Sequence, residues 1–595
     1  MALPLERFAI HLCIAVLACF CTATHAADAN KVLRLGFGDI EGMDPQQSTD
    51  DFSRSVQQAI FEGLYEWDYF ARPTKLYPNT AVALPEITDG GTTWTIHVKP
   101  GIFFTDDPAF AGKPRELVAD DYVYSIKRWL DPALRYGGQP LITETIVGAR
   151  AVVDAARAPG AKFDYDQPIE GLRALDRYTL QLRLTAPNYP IVEGFLVTLA
   201  VAREVVEAAQ GDIRRRAIGT GPYKLKEWKH SSRIVLEANP KYRTIAFPTS
   251  TDPTHAELAR SMRGKLLPQI GVIEISLIDE ELPLLLEFER EKLDYVEFTT
   301  SVATRLVEED GKLKAALAQR GIRYHPIPRS FTSFVYFNME DPVVGGMTRE
   351  HIALRRAIMF AFDTATLAKT VYGGLAIPAN QLIPPGVSGH DPKLPLKSLY
   401  NPANARTLLD RFGYDKRDAD GFRLATDGRT LTITMLTRPD RDMRDTETLW
   451  KKNMEAVGIR TAFRELQFQE MSKAAFAGQY QVLQGMSWGG SPLGTGIFRQ
   501  LYGREPPAMN KARFSLAEYD IALEQFMHLP TGPEQLAPAR RMSEIALAYA
   551  PMVPTVVRLV NGFSQQWLQG CYPSPFWYYW KYYDIDLARR RKAPS

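Results

Sequence analysis

The sequence predicts a mixed α/β protein in which strands and helices alternate along the chain. Three observations predict it. Patterns of period 2 and period 3.6 interleave between Lys31 and Ile459 instead of falling into separate blocks. Between residues 430 and 459 a strand, a helix and a second strand follow directly on one another. Connections such as Ile383-Pro384-Pro385-Gly386 are rich in Pro and Gly, and none is long enough to act as a disordered linker.

The elements follow in chain order. Arg7, an apolar run from Phe8 to Phe20 and the small-x-small group Thr24-His25-Ala26 form the three parts of a secretory signal peptide covering residues 1–26. The run is shorter than the roughly 20 residues that span a bilayer. Val16-Leu17-Ala18-Cys19 loosely matches a lipobox, so lipid anchoring at Cys19 is the alternative. Lys31 to Phe37 alternates and reads as the opening strand, and Thr92 to Lys99 is another, stopped by Pro100-Gly101. Tyr122, Ile126, Trp129 and Leu130 share one helical face, with Asp120 or Asp121 as cap and Asp131-Pro132 as terminator. Gly219-Thr220-Gly221-Pro222 is a turn that no helix tolerates. It feeds a hairpin from Tyr223 to Trp228 and from Arg233 to Pro240. Leu354 to Phe362 is a helix, and Thr430 to Leu436 a strict alternating strand. A helix from Leu449 to Val457 and a strand from Ile459 complete that unit.

Composition excludes several functions. The 71 Lys and Arg against 69 Asp and Glu give a net charge of +2, with no basic face for nucleic acid. The tail Arg589-Arg590-Arg591-Lys592 reads as a solvated end. Cys13, Cys19 and Cys21 lie in the signal, which leaves Cys571 alone and no internal disulfide. With one remaining cysteine and scattered histidines, neither a dedicated metal site nor a cofactor is expected. No later segment is long and apolar enough to span a membrane. Gly485-Met486-Ser487-Trp488-Gly489 matches a nucleophile elbow, making a serine hydrolase using Ser487 the rival class. That elbow must run straight into a helix, whereas Gly490-Ser491-Pro492-Leu493-Gly494 continues as loop. His528, eight residues after Asp520, is the only histidine downstream. The aromatic run from Phe576 to Tyr583 reads as a buried strand.

Six of these segments, in this order, resemble the family 5 extracytoplasmic solute-binding proteins, the peptide receptors of ABC importers. They are Met43-Asp44-Pro45 with Ile60-Phe61-Glu62-Gly63-Leu64, Trp94 to Phe104, Val118 to Asp131, and Gly219 to Leu225. Phe334 to Asn338 with Leu354 to Asp363, and Asn401-Pro402-Ala403 with Gly413-Tyr414, complete the set. The resemblance implies a two-lobed clamshell with two adjacent chain crossovers. It divides the chain into a first-lobe base (27–70, 187–325 and 555–595), an inserted domain (71–186) and a second lobe (326–554). Two extended, proline-bearing stretches, His325 to Pro328 and Pro551 to Pro554, suit the crossovers. It further implies a monomeric periplasmic receptor that captures an oligopeptide or peptide-like solute and hands it to membrane permease subunits. It meets the membrane only through them. Receptors for a metal chelate, haem or sugar would share the scaffold. In peptide-binding relatives a Trp at the position of Trp488 is followed by an Asp that meets the ligand's ammonium. Here Ser491 stands near that place, and Asp50 or Asp51 would have to supply an acid. Gly489 and Gly490 would admit the ligand backbone, with Trp488, Phe334 and Tyr336 as apolar walls.

Overall fold

The computed structural model describes residues 27–135, 139–485, 490–576 and 578–592. Ser487, Trp488 and Gly489 lie outside the described residues, as do residues 1–26 with Cys19.

Two large sheets dominate. The first contains the opening strand Asp28–Phe37, which pairs parallel with Ile270–Leu277 and Tyr295–Phe298. The hairpin Tyr223–Lys229 and Arg233–Ala238 extends one edge, and Val556–Ser564 with Arg323–Pro328 extends the other. Leu33, Leu35, Ile234, Leu236, Ile273 and Ile275 are buried by this sheet. Burial of such side chains contributes roughly 1.5–3 kcal/mol each. The second sheet orders its strands Arg460–Glu465, Thr432–Thr437, Val482–Gln484, Phe334–Phe337 and Met552–Pro554. A smaller four-stranded antiparallel sheet lies between residues 86 and 183. The protein is thus a two-lobed α/β clamshell, each lobe built round its own major sheet and hydrophobic core.

The chain passes between the lobes twice, and the two passages run side by side. It leaves the first sheet at Pro328, enters the second at Phe334, and returns between Pro554 and Val556. Ser333 N donates to Val556 O at 2.8 Å, and Thr555 N donates back to Ser333 O at 2.9 Å. Paired crossovers of this kind leave a hinge about which two packed bodies can turn.

Several sequence signals find their physical cause here. A Cβ on Gly219 or Gly221 would meet Ile60 O at 2.1 or 2.6 Å, so only glycine lets this turn lie against the helix Asp51–Ile60. Thr220 Oγ1 donates to Glu62 Oε2 at 3.0 Å, tying the turn to the Phe-Glu-Gly segment. Asp44 and Arg128 form a fully buried ion pair at 2.5 Å that joins the opening loop to the helix Ala119–Leu130. Arg355 is wholly buried and donates to the carbonyls of Val344, Gly346 and Tyr549.

Some boundaries differ from the sequence reading. The helix expected from Leu449 begins at Arg441, because Asp440 caps it by accepting from Met443 N at 3.0 Å. The aromatic run is not a strand: Trp580–Tyr582 forms a single 3-10 turn. Trp580, Tyr582 and Tyr583 are buried as expected.

Candidate functional site

A cavity of about 540 Å³ lies between the lobes. The helix Asp51–Ile60 presents Asp51, Arg54, Gln57 and Gln58 to it, and the next loop adds Glu62 and Glu66. The C-terminal segment folds back to form another wall with Phe576, Tyr578, Tyr579 and Lys581. Gly490, Ser491, Pro492 and Leu493 arrive from the second lobe and close it.

The C-terminal wall is fixed by its polar groups. Lys581 Nζ reaches Glu66 Oε2 at 2.5 Å and the Tyr582 hydroxyl donates to Glu66 Oε1 at 2.6 Å. Trp67 N donates to the Tyr579 hydroxyl at 3.1 Å, and Tyr578 N to Gln58 Oε1 at 2.9 Å. Other acceptors are unsatisfied: Gln57 Oε1 and Glu62 Oε1 are buried without a hydrogen-bond partner. A buried acceptor left unpaired costs about 1–3 kcal/mol.

Below Gly490 a second chamber of about 380 Å³ runs into the second lobe. Phe331, Phe334, Tyr372, Arg438 and Arg558 line it. The ideal Cβ of Gly490 lies 3.0 Å from Ser330 Oγ and 3.9 Å from the Phe331 ring, which places the two cavities against each other. Arg438 and Arg558 have acidic neighbours, Asp440 at 3.1 Å and Asp442 at 3.8 Å. Their Nε atoms, with that of nearby Arg329, are nevertheless buried without a partner. Burial and the repulsion of Arg558 lower the Arg329 pKa from its ordinary value. Three arginines therefore gather beside this chamber with part of their donor capacity unmet.

The lobes already touch on one flank. Thr74 Oγ1 donates to Pro492 O at 3.2 Å, Trp67 packs with Leu493, and Thr531 Oγ1 donates to Glu193 Oε2 at 2.5 Å. Burial raises Glu193 to about 7 despite that hydrogen bond.

The predicted site residues separate into groups. Asp51, Gly490 and Ser491 come together on the main cavity, with Asp51 also paired to Arg54 at 2.9 Å. Asp50 instead caps the helix Asp51–Ile60, its Oδ1 accepting from Ser53 N at 2.7 Å. Phe334 lines the second chamber. Tyr336 is a core residue, wholly buried with its hydroxyl donating to Gln500 Oε1 at 2.7 Å. Trp488, Gly489 and the rival nucleophile Ser487 fall outside the described residues. The loop does not run straight into a helix, since Thr495–Phe498 begins only after Gly494.

Sequence reasoning missed Arg438, Arg558 and the C-terminal wall. The signal for Arg438 was present: it follows the carboxyl end of the strand Thr432–Thr437, where open α/β sheets place their ligands. Arg558 sits among Val556, Val557, Leu559 and Val560 in the strand Val556–Ser564, an unusual position for a charge.

Fold and cavity together define a two-lobed α/β protein with a cleft lined from both lobes. The chain belongs to the bacterial extracellular solute-binding proteins, family 5, whose sequence pattern matches residues 75–508. It is 21% identical over 485 residues to the dipeptide-binding protein of Escherichia coli K12, covering 79% of this chain and 78% of the relative. It is 20% identical to heme-binding protein A of Haemophilus influenzae, covering 83% and 81%. Among solved structures, the unliganded open form of the periplasmic murein tripeptide binding protein MppA superposes with a TM-score of 0.72. That match has 19% identity and covers 94% of this chain and 98% of the other. HbpA2 from Haemophilus parasuis also gives 0.72, at 16% identity, covering 93% and 100%.

Proposed function

We propose that this protein is the solute receptor of an ABC importer and binds peptides or peptide-like solutes carrying a free carboxylate. The observation that carries this reading is the pairing of an acceptor-lined cavity with an arginine-lined chamber. A peptide offers backbone and terminal donors to the first and a carboxylate to the second. Relatives named as dipeptide- and oligopeptide-binding proteins support the same class.

Ligand would stabilise the closed clamshell in proportion to its preference for that state over the open one. The closed form would then dock on the permease, where another subunit hydrolyses ATP. Ser491, Gly490 and Asp51 are the residues we assign to the ligand's amino-terminal region, and Arg438 and Arg558 to its carboxylate. The chain divisions at 70, 186, 325 and 554 are part of the same proposal, supported by the separate sheets. Export with cleavage after Ala26 is supported by the family's extracellular description and by the apolar run at the start. Among the described residues no helix is long and apolar enough to cross a membrane.

Mass spectrometry of the exported protein tests the reading by identifying what co-purifies with it. A short peptide or amino-acid conjugate is expected. Turnover of esters or peptides that disappears in Ser487→Ala would instead establish the hydrolase.

A further inference from the structure

A third cavity, of about 220 Å³, is not used by the binding mode above. It lies where the opening strand ends at Gly36-Phe37-Gly38, beside the carboxyl end of Ile270–Leu277 and the strand Tyr295–Phe298. The ends of parallel strands are where open α/β sheets hold ligands. Tyr578 is shared between this chamber and the main cleft. Asp51 faces the cleft while its neighbour Phe52 faces the chamber.

The lining has a consistent chemistry. Five aromatic rings, Phe37, Phe52, Tyr295, Tyr578 and Trp580, stand with three carboxyl groups, Asp279, Glu281 and Glu297, and no Lys or Arg contributes to the wall. Phe37 stacks on Phe52 with centroids 5.1 Å apart, and on Trp580 at 6.4 Å. Two of the acids are occupied: Asp279 accepts from Asp39 N at 3.1 Å, and Glu281 accepts from the Thr299 amide and hydroxyl, each at 2.6 Å. Glu297 differs. Among the described residues its side chain accepts only from the Tyr295 hydroxyl, at 2.7 Å, and it makes no ion pair. Burial pushes its carboxyl up to about 7, outweighing the opposite pull of the Arg329 charge nearby, which makes no ion pair with it.

We propose that this chamber binds an organic cation on an apolar stem, and that it receives a basic side chain of the ligand held in the main cleft. The second half rests on the peptide-receptor reading. Carboxylate and aromatic faces both attract an ammonium or guanidinium group, and the apolar wall takes its methylene stem. A neutral or acidic side chain would leave Glu297 unpaired or repelled.

Calorimetry on the mature full-length protein tests this with Ala-Lys-Ala, Ala-norleucine-Ala and the n-butylguanidinium ion. The lysine peptide is expected to bind about tenfold tighter than the norleucine peptide. That preference should vanish in Glu297→Gln and shrink in Phe52→Ala, whose ring is 41% exposed and carries little of the core. Binding of butylguanidinium to the wild type but not to Glu297→Gln would support the chamber even if neither peptide bound, and would then count against the peptide reading alone. Equal affinity for the two peptides with no butylguanidinium binding overturns the inference while leaving the receptor intact. A lysine preference that survives both substitutions also overturns it.

Discussion

On the first lobe's side the cleft presents acceptors, with Gln57 and Glu62 holding buried oxygens that meet no donor. On the second lobe's side the adjoining chamber presents Arg438 and Arg558, with buried Nε atoms that meet no acceptor. Each wall alone is a costly arrangement, because unsatisfied buried polar groups oppose folding. Under the proposed function, the two walls would select a molecule with donors at one end and an anion at the other. The difference also separates the two kinds of recognition. An arginine cluster offers charge-assisted, geometrically demanding contacts, whereas Ser491 and Gln57 offer neutral ones worth about 0.5–1.5 kcal/mol each, and the Glu62 charge is already paired with Arg243 at 2.7 Å.

The comparison is broken most severely at the arginines. Arg438→Met keeps an unbranched apolar stem but removes the guanidinium and its charge, and should weaken binding of a free-acid peptide by about 2–5 kcal/mol. Isothermal titration measures this, and an unchanged affinity would remove Arg438 from the site.

A smaller effect is expected at the contact between the lobes. Glu193 is raised from its ordinary 4.5 to about 7 by burial against Thr531. An acid raised in the folded state favours that state while protonated, so the contact is strongest below about 4.5 and weakens as pH rises through 7. The loss amounts to at most about 3 kcal/mol. Melting curves between pH 5 and 8 should show this fall in the wild type and not in Glu193→Gln. Equal slopes for the two proteins would show that Glu193 does not couple closure to pH.

Asp51→Asn should matter least, by about 0–1 kcal/mol, because its side chain is 76% exposed and already paired with Arg54. Asp50→Asn tests stability instead, through loss of part of the helix cap. A large loss of affinity in either variant would restore an acid to the amino-terminal contact.

What was legible in the sequence follows from what is local. Alternation, helical periodicity and glycines pressed against Ile60 each act over a few residues, so the strands, helices and the Gly219 turn could be read directly. The loop carrying Ser491 could be read too, because its departure from an acidic pattern is a matter of residue type. The chamber arginines are brought together from residues 438 and 558, and Glu66 meets Lys581 over a separation of 515 residues. No local pattern encodes such meetings. Tyr336 illustrates the converse: an aromatic strand residue fits wall or core equally well until its hydroxyl partner, Gln500, is known.

Recognition in the proposed receptor is asymmetric, strong at the carboxylate end and modest at the amine end. Calorimetry on one peptide as free zwitterion, N-acetyl derivative and C-terminal amide tests it directly. The account predicts a loss of about 2–5 kcal/mol on amidation and of only about 0.5–1.5 kcal/mol on acetylation. Acetylation costing more than amidation would contradict it and move the dominant charge contact to an acid on the first lobe.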